Sequence, residues 1–137
     1  MTIREIIEKG TELYNKGDVD GFCALYRADA VLTTPDGRFE GPENMKPYFQ
    51  GLYDAFPSGG VSVGRGCEDG DLYCGEFMME GVNTGPLAMP DGTELPATHR
   101  SVELPAMEIA RVENGEIVEH RFFWDNLAFM SQLGLGA

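Results

Sequence analysis

The spacing of apolar residues changes once along this chain, near Val61, and that change constrains the fold more than any other feature. Before it the apolar residues recur at three, four and seven; after it they alternate. Ile3, Ile6, Ile7, Leu13 and Tyr14 predict an amphipathic helix over residues 3–16, ended by Gly17. Asp18 suits an N-cap, and Val19, Phe22, Cys23, Leu25 and Tyr26 form the stripe of a second helix running to about residue 27. Residues 30–34, Ala-Val-Leu-Thr-Thr, are rich in β-branched side chains and stop at Pro35-Asp36-Gly37, a strand leaving through a turn. Pro42 fits the first turn of a third helix, whose face carries Met45, Tyr48, Phe49, Leu52, Tyr53 and Phe56 before Pro57-Ser58-Gly59-Gly60 closes it.

Beyond Val61 the alternation predicts strands over residues 61–65, 72–84, 99–112 and 117–124, with turns at Asp69-Gly70-Asp71 and Glu113-Asn114-Gly115-Glu116. Helices followed by strands joined through short turns imply an α+β fold with a mostly antiparallel sheet. Residues 85–97 hold three prolines and two glycines between two strands, a long loop of the kind that serves as a lid.

At 137 residues and 42% hydrophobic, the chain supports one domain spanning 1–137. Its net charge of −13 opposes binding to phosphate backbones and anionic lipid, so neither nucleic acid nor membrane is an expected partner. No run reaches the ~18 apolar residues of a membrane helix, and the acidic, amphipathic start is unlike a leader peptide, which points to a cytoplasmic protein. Cys23, Cys67 and Cys74 are an odd number with no Cys-x-x-Cys pair, so each is expected as a small buried residue rather than part of a disulfide framework or zinc site.

Among candidate site residues Asp125 comes first, because it follows Phe122, Phe123 and Trp124 directly. It is either the N-cap of a tail helix starting near Asn126 or a general base desolvated against Phe123 and Trp124. The only histidines are His99 and His120. His120 shares a strand face with Phe122 and Trp124, whereas Asp125 falls on the face of Arg121 and Phe123, so a His120–Asp125 pair would need a bulge. His99, beside Arg100 where the long loop ends, suits a pocket rim. A metal would need a histidine joined to Glu76, Glu103 or Glu108 from separate strands, and no metal is expected. Glu76 and Glu80 share a face with Leu72, Cys74, Met78 and Val82, as an acid/base pair or as rim charges of a dimer contact. Tyr14, Tyr26, Tyr48 and Tyr53 lie on apolar helix faces, from which a hydroxyl can reach a cavity. With no Gly-x-Ser-x-Gly elbow and no phosphate-binding glycine loop, the simplest chemistry is proton transfer without a cofactor.

Residues 15–20 (Asn-Lys-Gly-Asp-Val-Asp), 81–87 (Gly-Val-Asn-Thr-Gly-Pro-Leu) and 111–120 (Arg-Val-Glu-Asn-Gly-Glu-Ile-Val-Glu-His), with Trp124-Asp125 and residues 132–134 (Gln-Leu-Gly), resemble the SnoaL-like polyketide cyclases of the nuclear transport factor 2-like superfamily. The resemblance spans nearly the whole chain. It implies a curved sheet wrapped around helices to form a cone-shaped cavity. It also implies an aspartate near the end of the last strand, where Asp125 stands, acting as acid/base in a cofactor-free aldol ring closure. Relatives often carry a histidine at the place of Asn83, which here would hydrogen-bond a substrate oxygen. The same superfamily holds isomerases, dehydratases, epoxide hydrolases and binding proteins.

The expected function is therefore a cofactor-free acid/base enzyme of aldol cyclase or isomerase type, acting on a small hydrophobic carbonyl compound. Asp125 and His99 are its expected catalytic residues, with Tyr14, Tyr53, Asn83, Arg100, His120 and Trp124 binding substrate, no metal, and a homodimer as the assembly. The alternatives are a ligand-binding module of the same fold and a dimeric interaction protein with a vestigial pocket.

Overall fold

The computed structural model describes residues 1–136 and confirms an α+β architecture whose sheet is antiparallel at all but one strand pair. Helix α1 spans Ile3–Asn15, and its start is a complete capping box: Thr2 Oγ1 accepts from the Glu5 N–H while Glu5 reaches back to the Thr2 N–H. Helix α2 is shorter than its hydrophobic stripe implied, covering only Val19–Cys23, because the chain turns at Ala24–Leu25 and enters β1 (Tyr26–Thr34). Tyr26 is thus a strand residue, a difference with consequences for the site. A two-residue turn at Pro35–Asp36 pairs β1 with β2 (Gly37–Glu40), which sequence periodicity missed because only four residues form it. Helix α3 (Pro42–Ala55) begins as expected with proline in its first turn.

Long strands then build the sheet: β3 (Gly60–Asp69) and β4 (Leu72–Val82), then, after the loop, β7 (Ser101–Glu113) and β8 (Glu116–Trp124). Their order is β2-β1-β8-β7-β4-β3, and β1 runs parallel to β8. The turn between β7 and β8 places Asn114 (φ 51°) and Gly115 (φ 79°) in the left-handed region, the backbone a type I′ hairpin needs. Residues 85–97 are not irregular throughout: β5 (Leu87–Ala88) and β6 (Glu94–Leu95) form a minimal hairpin. Leu87 anchors this hairpin in a cluster with Ala55, Val102, Leu104 and Leu133. Helix α4 (Asn126–Gln132) ends the chain against β7. Among the described residues no helix is long and apolar enough to cross a membrane.

The main core lies between the helices and one face of the sheet, where Ile6, Phe22, Leu32, Met45, Phe49 and Ile117 pack together. Leu32 and Met45 are fully enclosed, each a contribution of roughly 1.5–3 kcal/mol. Cys23 joins this core, but Cys67 and Cys74 do not: both are exposed on the outward face of β3 and β4, contrary to the expectation of burial. They alternate with inward-facing Gly66, Tyr73 and Gly75, and period two leaves them no other side.

Tyr26 is enclosed in this core, and Tyr14 and Tyr48 pack half-buried against it. Burial pushes Tyr14, Tyr26 and Tyr48 above the usual phenol range, with Tyr53 reinforcing the effect at Tyr14, Glu108 at Tyr26 and Asp36 at Tyr48. The unfolded chain releases these protons from about pH 10, while the folded chain keeps them. Their stabilisation is therefore complete below about pH 10 and is lost as pH rises beyond it. We expect urea midpoints to fall steadily above that pH; a midpoint that stays flat to about pH 11 contradicts the assignment.

Candidate active site

Alternation along β7 turns Val102, Leu104, Ala106, Glu108 and Ala110 toward the helices, so one carboxylate stands in an otherwise apolar row. On β8 a register shift opposite Arg111–Val112 precedes His120, after which His120, Phe122 and Trp124 face inward and Arg121 and Phe123 outward. Ala110 opposes His120 and Glu108 opposes Phe122, which makes Glu108 and His120 diagonal neighbours on one face. Tyr26 reaches the same histidine from β1 on its other side.

The result is a buried chain of hydrogen bonds across three strands. Tyr26 Oη lies 2.7 Å from His120 Nδ1, and His120 Nε2 lies 2.7 Å from Glu108 Oε1. All three side chains are at most 5% exposed. Burial, with Glu108 second, holds the Tyr26 phenol far above its ordinary range, so it stays protonated and can donate to Nδ1. A neutral imidazole then carries its proton on Nε2 and donates it to Glu108. Among the described residues no donor reaches Glu108 Oε2. The edge of Phe122 packs on the imidazole with centroids 4.4 Å apart and fixes the ring's tilt.

Glu108 and His120, with Thr11 and Tyr14, supply the polar groups in the wall of a cavity of about 80 Å³ that is otherwise lined mainly by apolar groups such as Phe22, Phe49, Phe77 and Phe122. A second cavity of about 60 Å³ continues from it toward Phe56, Leu104 and Phe129. Tyr14, Leu52, Val61, Met79 and Trp124 line both. Outside them, between α3, the β5 segment and α4, lies a cleft of about 530 Å³. Leu52 borders all three spaces, and Phe129 borders the outer two. No protein group within hydrogen-bonding reach engages the Tyr14 hydroxyl among the described residues, and it is not sealed from solvent-sized space.

The other residues singled out from sequence are placed as follows. Asp125 is the N-cap of α4: its Oδ1 accepts from the Ala128 N–H at 3.0 Å, the side chain is exposed, and it lines neither inner cavity. The bulge of β8 lies upstream of His120 rather than between His120 and Asp125, and the two side chains do not pair. Asp125→Ala is expected to cost about 1 kcal/mol in urea unfolding; a loss below about 0.3 kcal/mol means the cap is energetically idle.

His99 is exposed, with left-handed backbone (φ 58°), and its N–H donates to the Asn83 carbonyl at 2.9 Å. Arg100 is exposed too, its guanidinium lying against Gly134 in the tail. Neither lines the inner cavities. Tyr53 packs edge-on to Tyr14 with centroids 5.9 Å apart and supports the wall from behind. Trp124 lines both cavities and donates from Nε1 to Asn126 Oδ1 at 3.2 Å.

Asn83 is fully enclosed and fully used. Its amide donates to the carbonyls of Ala55 (3.1 Å) and Gly85 (2.9 Å), and its Oδ1 accepts from the Thr98 N–H (2.8 Å) and Oγ1 (3.0 Å). Two donors and two lone pairs are its whole capacity, which leaves nothing for a substrate oxygen. Glu76 is paired with Arg65 at 2.7 Å on the surface, and the arginine holds its carboxyl below the usual range. Among the described residues no three His, Cys, Asp or Glu side chains converge as a metal site.

From the sequence Glu108 stands only as one possible metal ligand, and Tyr26 as one of four helix-face tyrosines able to turn a hydroxyl to a cavity. The signal for Glu108 was present, as a lone charge at an inward position of an alternating strand.

Relatives and solved structures match the chain over most of its length. The PhzA/B-like protein PA3332 of Pseudomonas aeruginosa, itself uncharacterised, is 28% identical over 141 residues, covering 98% of this chain and 92% of that protein. The crystal structure of IdmH from Streptomyces antibioticus, a candidate polyketide cyclase, superposes with a TM-score of 0.81 at 25% identity, covering 98% of this chain and 99% of that one. AclR from Streptomyces galilaeus, a candidate hydroxylase, superposes with a TM-score of 0.80 at 19% identity over 96% and 94% of the two chains, a likeness of fold alone. The model of the SnoaL-like domain matches residues 7–120, most of the chain, and the protein therefore belongs to the SnoaL-like family with its nuclear transport factor 2-like fold.

Proposed function

We propose that the protein is an acid/base enzyme that removes a proton from carbon beside the carbonyl of a small hydrophobic compound, with Glu108 as the base. The observation that carries this reading is the Tyr26–His120–Glu108 chain at the wall of an apolar cavity, with Glu108 Oε2 left without a protein donor. Oε2 takes the proton from the substrate C–H as the carbonyl becomes an enolate. His120 donates from Nε2 to Oε1 and fixes the carboxylate's direction, and Tyr26 fixes the tautomer of His120. The Tyr14 hydroxyl, kept protonated by its burial, is the donor placed to steady the enolate oxygen. Asp125, already engaged at the α4 N-terminus, is not assigned the proton.

The product of this step is an enolate, which either takes the proton back at another carbon or attacks a second carbonyl of the same molecule. Those outcomes are isomerisation and aldol ring closure. Similarity to IdmH favours the second. The small inner cavity suits the reacting end, and a larger body would extend past Leu52 into the outer cleft. Met107 and Phe123, cross-strand partners on the outward sheet face at 41% and 43% exposure, are where we place the contact of the expected homodimer.

The test uses cyclohexanone in deuterated buffer, with exchange of its α-hydrogens followed by NMR. Exchange well above the buffer rate that disappears in Glu108→Gln supports the reading. Exchange no faster than buffer, or lost equally in Asp125→Asn and not in Glu108→Gln, overturns it.

A further inference from the structure

On the opposite face of the sheet, away from the cavity, Cys67 of β3 and Cys74 of β4 are direct register partners. Both are exposed and free. Side chains of cross-strand partners project from the same face with their Cβ atoms roughly 4.5–5.5 Å apart. Their Cα atoms lie at about 4.5 or about 5.5 Å, depending on which kind of antiparallel pair they form, and both values fall within the roughly 4.4–6.8 Å that a disulfide spans. A disulfide holds its Cβ atoms roughly 3.5–4.5 Å apart, so closing the bond takes side-chain rotation together with a backbone adjustment of about 1 Å at this strand pair.

We propose that Cys67 and Cys74 form a redox-responsive pair that closes reversibly into a cross-strand disulfide when met by a low-molecular-weight disulfide of the glutathione class. The thiolate of one cysteine attacks the small disulfide, forms a mixed disulfide and expels one small thiolate. The neighbouring thiolate then attacks the protein sulfur of that mixed disulfide and expels the second. Two protein thiols have lost two electrons and two protons, and one small disulfide has become two thiols.

Two features of the surroundings favour this over inert surface cysteines. The site is open to solvent, so the reagent reaches either sulfur and the bond, once formed, is open to reduction. The strand pair beneath it leaves room on its inner face for a tyrosine: Gly66 precedes Cys67, Gly75 follows Cys74, and the Tyr73 hydroxyl fills the space where side chains at both glycines would stand. That hydroxyl is sealed and has no hydrogen-bond partner among the described residues. Gly75 is also the register partner of Glu108, so the pair lies over the part of the sheet that carries the base.

Cys23 provides an internal control. It is buried in the main core, and its thiol is pushed up to about 11, first by burial and then by Asp20, so it stays reduced and unreactive near neutral pH.

The experiment treats the folded protein with oxidised glutathione and maps thiols by mass spectrometry under non-reducing conditions. The expected product has lost ~2 Da, links the peptides holding Cys67 and Cys74 within one chain, and reverts with dithiothreitol. Cys67→Ser and Cys74→Ser should each instead accumulate a single stable glutathione adduct, because the resolving thiol is gone. Stable adducts on both cysteines of the unsubstituted protein, cross-links between chains, or no reaction at either site would each overturn the proposal.

Discussion

Glu108→Gln should lower cyclohexanone exchange by at least about a hundredfold, because a positioned general base contributes on the order of 10²–10⁴ in rate and an amide cannot take its place. The substitution is chosen to leave the rest of the chain intact. An amide oxygen still accepts from His120 Nε2, so the bond at 2.7 Å and the Tyr26 contact beyond it have no reason to break. The loss should therefore fall on kcat with KM little changed, the mark of a group acting on the transition state rather than on binding. Tyr26→Phe makes a graded companion. It removes one end of the chain without touching the base, and should cost less than Glu108→Gln because it loosens the histidine's orientation only. A Glu108→Gln protein that keeps more than a tenth of the exchange rate would remove Glu108 from the mechanism.

How far the site was legible in the sequence depends on which physical signal each residue carried. The switch of period at Val61 located α1, α3 and the four long strands that follow it, because burying one face of a helix or sheet forces that spacing. The parity of β8 set His120 and Asp125 on opposite faces, and the capping reading of Asp125 needed only its place before Asn126. What the sequence hid was pairing between strands distant along the chain. Tyr26, Glu108 and His120 lie on β1, β7 and β8, and two irregularities of register decide that their side chains meet. Tyr26 was masked further, because its place in a helical stripe of apolar residues gave no hint that the helix stops at Cys23.

Asp125 stands out for following three aromatic residues, and family resemblance weights it towards an acid/base role, whereas the lone carboxylate of β7's inward row is the stronger intrinsic signal. Asn83 shows the same limit in reverse. A polar residue in Gly-Val-Asn-Thr-Gly reads as a ligand-facing group, and only the positions of Ala55 and Thr98, distant in sequence, show that its hydrogen-bonding capacity is already filled.

Asn83 is for that reason the position where a single substitution should do most damage to the fold. Asn83→Ala strips the side-chain partner from the Gly85 carbonyl and from the Thr98 N–H and hydroxyl, around a side chain that is itself fully enclosed; the Ala55 carbonyl keeps the Thr84 and Gly85 N–H groups. A buried polar group left unpaired costs about 1–3 kcal/mol. Even if relaxation re-pairs one of these three groups, the expected loss is about 3 kcal/mol, a large share of the roughly 5–15 kcal/mol that holds a typical domain together.

Asn83→Asp should be at least as harmful near neutral pH, because it keeps the two acceptor contacts to Thr98 but turns a carboxylate oxygen toward the Ala55 and Gly85 carbonyls in place of an N–H. Both substitutions act where the end of α3, the end of β4 and the return of the 85–97 segment are tied together, so amide exchange should accelerate first at residues 83–99. Urea unfolding of the two variants against the unsubstituted protein checks the magnitude. A loss under about 1 kcal/mol in Asn83→Ala would mean that water replaces the side chain at little cost and that Asn83 does not clamp the loop.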